Sequence, residues 1–215
     1  TSATITDRLV ALSRALIGRI RGGLAQVNVL VSMFFAGMNG SVVADTATVG
    51  ALVLPAMKKA GYPAAFSAAV TGVSSTIGGI IPPSIMMIVL ANATEISIAA
   101  LFAAGIIPGI LIGVVIMVIN HYFAVKYNFE RSDQPFSVRR AGKELYRSSF
   151  ALLIPLVLVG SVMGGVASVV EAGAITALVA LFTGVFVYRT IKWKDCTGAF
   201  RRAFRNSAMV FIIIA

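Results

Sequence analysis

The sequence predicts an all-α integral membrane fold, and three observations carry that prediction. Of 215 residues, 58% are hydrophobic and only 12% charged, with a mean hydropathy of +0.93. A soluble domain is about half apolar and about a quarter charged. The apolar runs are helix-length and alternate with short basic clusters, the pattern of membrane helices whose loops collect cations on one side. Two irregular patches interrupt the apolar sequence: Gly37-Met38-Asn39-Gly40-Ser41, and Ser74 to Ser84 with its Gly78-Gly79 and Pro82-Pro83. In lipid, broken backbone is tolerated only where it is buried in protein or lines a cavity. Two breaks in one apolar block therefore point to a transport site.

The charge balance excludes other classes. Eighteen Lys and Arg stand against eight Asp and Glu, a net charge of +10. The cations sit between apolar runs, so topology accounts for them and no nucleic-acid partner is expected. The lone Cys196 allows no disulfide within the chain, and no metal-binding cluster is present. His121, between Asn120 and Tyr122, reads as an interfacial residue rather than a proton relay. No nucleophile, base and orienting group occur together, so no enzyme is expected. The chain opens on Thr1 in polar sequence and stops inside the apolar run 211–215. That run is too short to cross a bilayer, so the chain reads as a fragment of a longer protein.

Residues 1–21 form an amphipathic arm. Ile5, Leu9, Leu12, Leu16 and Ile20 make an apolar stripe and Arg8, Arg14, Arg19 and Arg21 a basic side, as in helices that lie in the membrane interface. Gly22-Gly23 ends it. Residues 22–61 hold two short helices, 24–38 and 42–60, joined at Asn39-Gly40-Ser41. Both ends of this pair are basic, which places both on the cytoplasmic side. The pair therefore predicts a re-entrant hairpin with its tip deep in the membrane. A single kinked crossing helix would put Lys58-Lys59 outside, against the charge rule.

Residues 62–94 predict a discontinuous helix, running from Ala64 to Ile77, broken at Gly78-Gly79 and Pro82-Pro83, and resuming at Ser84. Residues 97–125 return across the membrane, and 126–148 form a cytoplasmic loop with six basic residues. Two further helices follow, 149–166 and about 172–188, with Glu171 at the outer turn between them. Arg189, Lys192 and Lys194 return to the inside with Trp193 as an interfacial anchor. A last helix begins near Asn206.

The breaks suggest a chemistry. The end of a half-helix offers carbonyl oxygens to a cation, and the start offers N–H groups and a positive dipole end to a carboxylate. Pro82 and Pro83 have no N–H, so carbonyls upstream lose their helical partners. Asn39, Gly40, Ser41, Ser75, Thr76 and Ser84 are the candidate substrate contacts, and Ser74 adds a further neutral oxygen. Asp45 is the only acid of the hairpin. An intramembrane carboxylate is a functional candidate by default, and two readings stay open: it caps the second hairpin helix, with Thr46 nearby, or makes a structural hydrogen bond there, or else it binds or couples an ion. Glu171 belongs to the outer interface.

Gly40-Ser41-Val42-Val43-Ala44-Asp45-Thr46-Ala47, then Leu54-Pro55-Ala56-Met57-Lys58-Lys59-Ala60-Gly61-Tyr62, then Ile80-Ile81-Pro82-Pro83-Ser84 resemble the large membrane subunit of the tripartite ATP-independent periplasmic (TRAP) transporters. Leu101-Phe102, Gly105-Ile106-Ile107-Pro108-Gly109, Glu171-Ala172-Gly173-Ala174 and Tyr188-Arg189 continue the likeness. The resemblance implies a Na⁺-driven importer of organic acids in the bacterial inner membrane. A periplasmic binding protein would deliver the substrate, and a small membrane subunit would brace the large one. It implies an elevator-type fold of two inverted repeats, each with one hairpin and one broken helix. Residues 149–215 would begin the second repeat, so one of two half-sites is present. Resemblance and backbone geometry together nominate Ser41, Gly78, Ile81 and Pro83 as Na⁺ ligands. The chain departs from the family at Ser168-Val169-Val170-Glu171, where Thr-Pro-Thr-Glu is common, and at Met86-Met87, where a Pro is common. Two alternatives are a Na⁺-dicarboxylate elevator that needs no binding protein and a membrane scaffold that transports nothing.

Overall fold

The computed structural model describes residues 2–129, 137–187, 197–201, 203–205 and 208. Among them the secondary structure is entirely helical. Helix α1 spans Ser2–Ile17 and stops where Gly18 turns to φ +59, four residues before the expected end. Leu9, Leu12, Ala15 and Ile17 are buried, whereas Leu16 and Ile20 of the expected stripe are each 40% exposed. The buried face packs on α2 (Gly23–Asn39) and α7 (Val138–Met163). Protein thus covers the part of the apolar side around Leu9 and Leu12.

Helices α2 and α3 (Val42–Lys59) form the hairpin, turning in only two residues. Gly40 closes α2 at φ +59, its N–H donating to Ala36 O at 3.1 Å. A left-handed residue is where glycine is favoured. Ser41 then opens α3 in extended conformation, its hydroxyl accepting from Ala44 N at 3.4 Å. Lys58 and Lys59 close α3, where cations suit the negative end of the helix dipole. The main core lies here: Val29, Val31, Val49, Met57 and Ile77 are all fully buried between hairpin and α4 (Ala64–Ser75). Beyond Gly61, the Tyr62 and Phe66 rings pack at a tilt against Phe129, and Phe66 meets Phe123 edge-on. This aromatic group fastens the hairpin's exit to the end of α6 (Ile98–Lys126).

The broken helix is α4, one 3-10 turn at Thr76–Gly79, an irregular link, and α5 (Ile85–Thr94). Ile80 N and Ile81 N both reach back to Ile77 O at 2.9 Å. The next two residues are prolines joined by a cis peptide bond, so the ladder stops. Helix α6 runs unbroken for 29 residues with Pro108 inside it. Gly105, Gly109 and Gly113 lie along its inner side. A Cβ at Gly105 would strike Met87 and Ile80 O, one at Gly109 would strike Ile81, and one at Gly113 would meet Met33 Sδ at 2.5 Å. Three absent side chains let α6 lie directly on the break and the hairpin, as small residues do between membrane helices.

Helices α6 and α7 are long and apolar enough to cross a membrane. Helix α7 corrects the expected loop: it begins at Val138, not near residue 149. Residues 138–147 are rich in helix-forming Arg, Lys, Glu and Leu. Ser148 Oγ donates to Arg8 O at 3.4 Å and Arg8 Nη1 to Arg147 O at 2.9 Å, which docks this segment on α1. Helix α8 (Val169–Phe182) starts at a full capping box, Ser168 with Glu171, and continues as a π segment, Thr183–Val187. Cys196, Trp193, the cations 189–194 and the expected helix start at Asn206 lie outside the described residues.

Candidate functional site

The hairpin tip is seated on the break. Ile85 N, at the start of α5, donates to Gly40 O at 3.1 Å. A Cβ on Gly40 would strike Pro83 O, and one on Gly78 would stand 3.7 to 3.8 Å from the Ser41–Val42 backbone. The structure therefore brings Gly40, Ser41, Gly78 and Pro83 together, residues up to 43 positions apart in sequence. Ile81 lies in the same link, against Gly109 of α6.

Counting hydrogen bonds sharpens the picture. Ser41 O accepts from Asp45 N at 3.0 Å, and Gly79 O accepts from Ser84 Oγ at 2.8 Å. Among the described residues, nothing donates to the carbonyls of Gly78, Ile80, Ile81, Pro82 or Pro83. Buried carbonyls without donors are rare in folded proteins, and Gly78 and Pro82 are buried. On the facing side, Ser41 caps Ala44 N but leaves Val42 N and Val43 N without acceptors. Acceptors suited to a hard cation thus sit beside the donor end of α3, suited to an anion.

The nominated side chains divide. The Asn39 amide is half-buried at the tip and makes no hydrogen bond among the described residues. Ser84 is not free: it caps α5 by accepting from Met87 N at 3.4 Å while donating to Gly79 O. Thr76 Oγ1 donates to Val73 O at 2.7 Å and Thr46 Oγ1 to Val42 O at 2.9 Å. Both hydroxyls satisfy their own helix, and neither reaches the junction. Ser75 faces Asp45, one turn below the tip, and donates to Thr71 O at 2.8 Å.

Asp45 resolves one of its two readings. The cap of α3 is Ser41, so Asp45 does not fill that role. It is 0% exposed, and neither carboxylate oxygen has a hydrogen-bond partner among the described residues. Ser32 and Ser75 are its neighbouring hydroxyls. Yet Ser75 spends its proton on Thr71 O, and Ser32 donates toward Ser74 Oγ at 3.4 Å. An unpaired buried carboxylate is strongly disfavoured without a cation or a proton.

Beneath Asp45 runs a buried polar seam that sequence reading missed. Asn28 Nδ2 donates to Thr71 Oγ1 at 2.7 Å, and Ser74 Oγ lies 3.5 Å from Asn28 Oδ1. Asn28, Ser32, Thr71 and Ser74 are all at most 2% exposed. The signal was available: Asn28 and Ser32 lie four apart on α2, and Ser67, Thr71 and Ser74 follow helical spacing on α4. Glu171, in contrast, accepts from Ser168 N at 2.8 Å and serves the start of α8.

An all-helical membrane protein in which a hairpin tip plugs a broken helix has the backbone arrangement with which transporters hold polar cargo inside a bilayer. Comparison with known proteins makes this specific. The family model described as "Tripartite ATP-independent periplasmic transporter, DctM component" matches residues 1–215, and the chain belongs to that family of integral membrane permeases. It is 34% identical over 215 residues to the C4-dicarboxylate TRAP transporter large permease protein DctM of Pseudomonas aeruginosa, covering 100% of this chain and 50% of the relative. It is 32% identical over 213 residues to the sialic acid TRAP transporter large permease protein SiaM of Vibrio cholerae, covering 99% and 50%. Identity to the 2,3-diketo-L-gulonate TRAP transporter large permease protein YiaN of Escherichia coli is 33% over 211 residues, covering 98% and 49%. The chain spans about half the length of these relatives.

Proposed function

We propose that this chain is part of the large membrane subunit of a Na⁺-coupled secondary importer of organic acids, fed by a periplasmic binding protein and braced by a small membrane subunit. The observation that carries the reading is the set of donorless carbonyls at Gly78, Ile81 and Pro83, of which Gly78 faces Ser41 and Pro83 faces Gly40. Na⁺ is the coupling ion, and these residues are its nominated ligands. A neutral oxygen set suits Na⁺ because it binds a hard cation without a titrating group. Asp45, buried beside Ser32 and Ser75, is a second place where a cation offsets a charge, and is the coupling candidate.

The substrate is an organic acid. Its carboxylate meets the open N–H groups of Val42 and Val43, the positive end of α3, and the Asn39 amide. Relatives named for C4-dicarboxylate, sialic acid and 2,3-diketo-L-gulonate share that acidic group. The hairpin is re-entrant, its basic ends on the cytoplasmic face of the bacterial inner membrane. Transport is by elevator movement of the hairpin and broken helix together. The tie from Ile85 N to Gly40 O favours their moving as one body. One relative, the isethionate TRAP transporter permease protein DctMQ of Oleidesulfovibrio alaskensis, is named as a combined permease, so the small subunit is either separate or fused.

The test is uptake by the full-length permease with its small subunit and binding protein in liposomes, using C4-dicarboxylates and sugar acids. Accumulation should follow an imposed Na⁺ gradient. Equal uptake with choline in place of Na⁺ sinks the coupling assignment. Undiminished uptake without the binding protein selects the dicarboxylate elevator instead.

A further inference from the structure

We propose that Gln26 and Asn120 hold a buried structural water where α2 crosses α6. The two helices pack on one another and run antiparallel. A Cβ on Gly22 would strike Ala124, while further along one on Gly113 would strike Met33. As α2 advances from Gly22 to Met33, α6 runs back from Ala124 to Gly113. The same register sets Gln26 opposite Asn120. Both residues are 3% exposed. Gln26 Nε2 donates to Met117 O at 2.8 Å, one turn of α6 before Asn120. Gly22, left-handed at φ +72, has no side chain to hold the two backbones apart here.

The two amides are incomplete in complementary ways. Gln26 Oε1 is an acceptor and Asn120 Nδ2 a donor, both are buried, and neither has a hydrogen-bond partner among the described residues. The bond to Met117 O fixes the Gln26 amide, because reversing it would set oxygen against oxygen. A buried polar atom without a partner costs stability. A guest between them must donate to Gln26 Oε1 and accept from Asn120 Nδ2. A cation is repelled by the amide N–H edge and an anion by the amide oxygen. Neither α2 nor α6 carries an acid to offset a cation. Water donates and accepts at once, and buried waters bridge groups in this state. Its way in is short. Asn120 lies six residues from the end of α6 at Lys126, about 9 Å along the axis. Beyond that end Arg21 Nη1 donates to Asn128 Oδ1 at 2.9 Å, in exposed surroundings. The water completes a row of polar links, at Asn128, Asn120 and Met117, that fixes the root of the hairpin to α6. Gln26 interrupts an apolar run for this purpose, which neither the hairpin tip nor Asp45 supplies.

The experiment is an electron cryomicroscopy map of the full-length permease that resolves ordered waters, joined to thermal unfolding of Gln26→Leu, Asn120→Leu and the double variant. The wild-type map should show a peak about 3 Å from both Gln26 Oε1 and Asn120 Nδ2. Each single variant should lower the unfolding temperature by about 2–4 °C. The double variant should lose no more than Gln26→Leu alone, because both changes empty one shared site. Three results overturn the proposal: the two amides in direct contact with no peak between them, a peak ringed by oxygens alone, which assigns an ion, or losses that simply add in the double variant, which makes the two side chains independent. The map decides even where a variant fails to fold.

Discussion

The amide of Ile85 donates to the carbonyl of Gly40 at 3.1 Å, and this single bond joins the start of one half-helix to the turn of a hairpin 45 residues earlier. It spends an N–H that α5 cannot use internally and a carbonyl that α2 leaves open at its end. Around it, Gly40 presses on Pro83 and Gly78 on Ser41–Val42. Two helix interruptions that would each be costly in lipid thereby brace one another, while the carbonyls from Gly78 to Pro83 other than that of Gly79, and the first amides of α3, stay open.

Gly40→Ala should break this seat. Gly40 sits at φ +59, and a Cβ there would strike Pro83 O. The expected loss is about 2–3 kcal/mol of stability, read as a lowered unfolding temperature of the full-length permease, with uptake lost. Gly61→Ala is the comparison. Gly61 has φ +80 but open space around it, so only backbone strain of about 1 kcal/mol applies. Equal damage from both changes would show that the tip contact is unimportant.

Ser84→Ala removes two bonds at once, the cap on Met87 N and the brace on Gly79 O. The expected cost is about 2 kcal/mol. Thr76→Val and Thr46→Val remove hydroxyls that serve only their own helices. Both should leave the Na⁺ dependence of uptake within about twofold, whereas a tenfold shift in either would return that residue to the site.

Asp45→Asn separates structure from coupling. The buried carboxylate lacks partners, so neutralising it should preserve or raise thermal stability measured without Na⁺. Stabilisation by added Na⁺ should shrink, and Na⁺-driven uptake should fall at least tenfold. A variant that transports normally with unchanged Na⁺ stabilisation removes Asp45 from the coupling role.

Asn28→Leu opens the polar seam. It leaves Thr71 Oγ1 without its donor and fills a packed position with a larger apolar group. Interhelical hydrogen bonds in membrane proteins are each worth about 0.6 kcal/mol, so with overpacking the loss should be about 2 kcal/mol. Urea or thermal unfolding of the full-length permease measures it, and an unchanged midpoint would mean that the seam contributes nothing to stability.

The sequence by itself determined the helical membrane class, the two breaks and their order, because hydropathy, glycine and proline act locally. It placed the hairpin turn at Gly40-Ser41 and the break at Gly78 to Pro83, and it marked Ser41 and Asp45 as the polar residues of α3's first turns. It misjudged what depends on neighbours. The arm's stripe suggested lipid contact, and α2 and α7 cover Leu9 and Leu12 while Leu16 and Ile20 stay part-exposed. Six cations suggested a loop to residue 148, but docking on α1 supports a helix from Val138. Asp45 offered a plausible cap, a role that Ser41 took because it is extended at the helix start. Only the tertiary structure decided which carbonyls lack donors and which hydroxyls are already spent. The spent hydroxyls bond partners 3 to 46 positions away, and no local pattern records whether a partner has arrived.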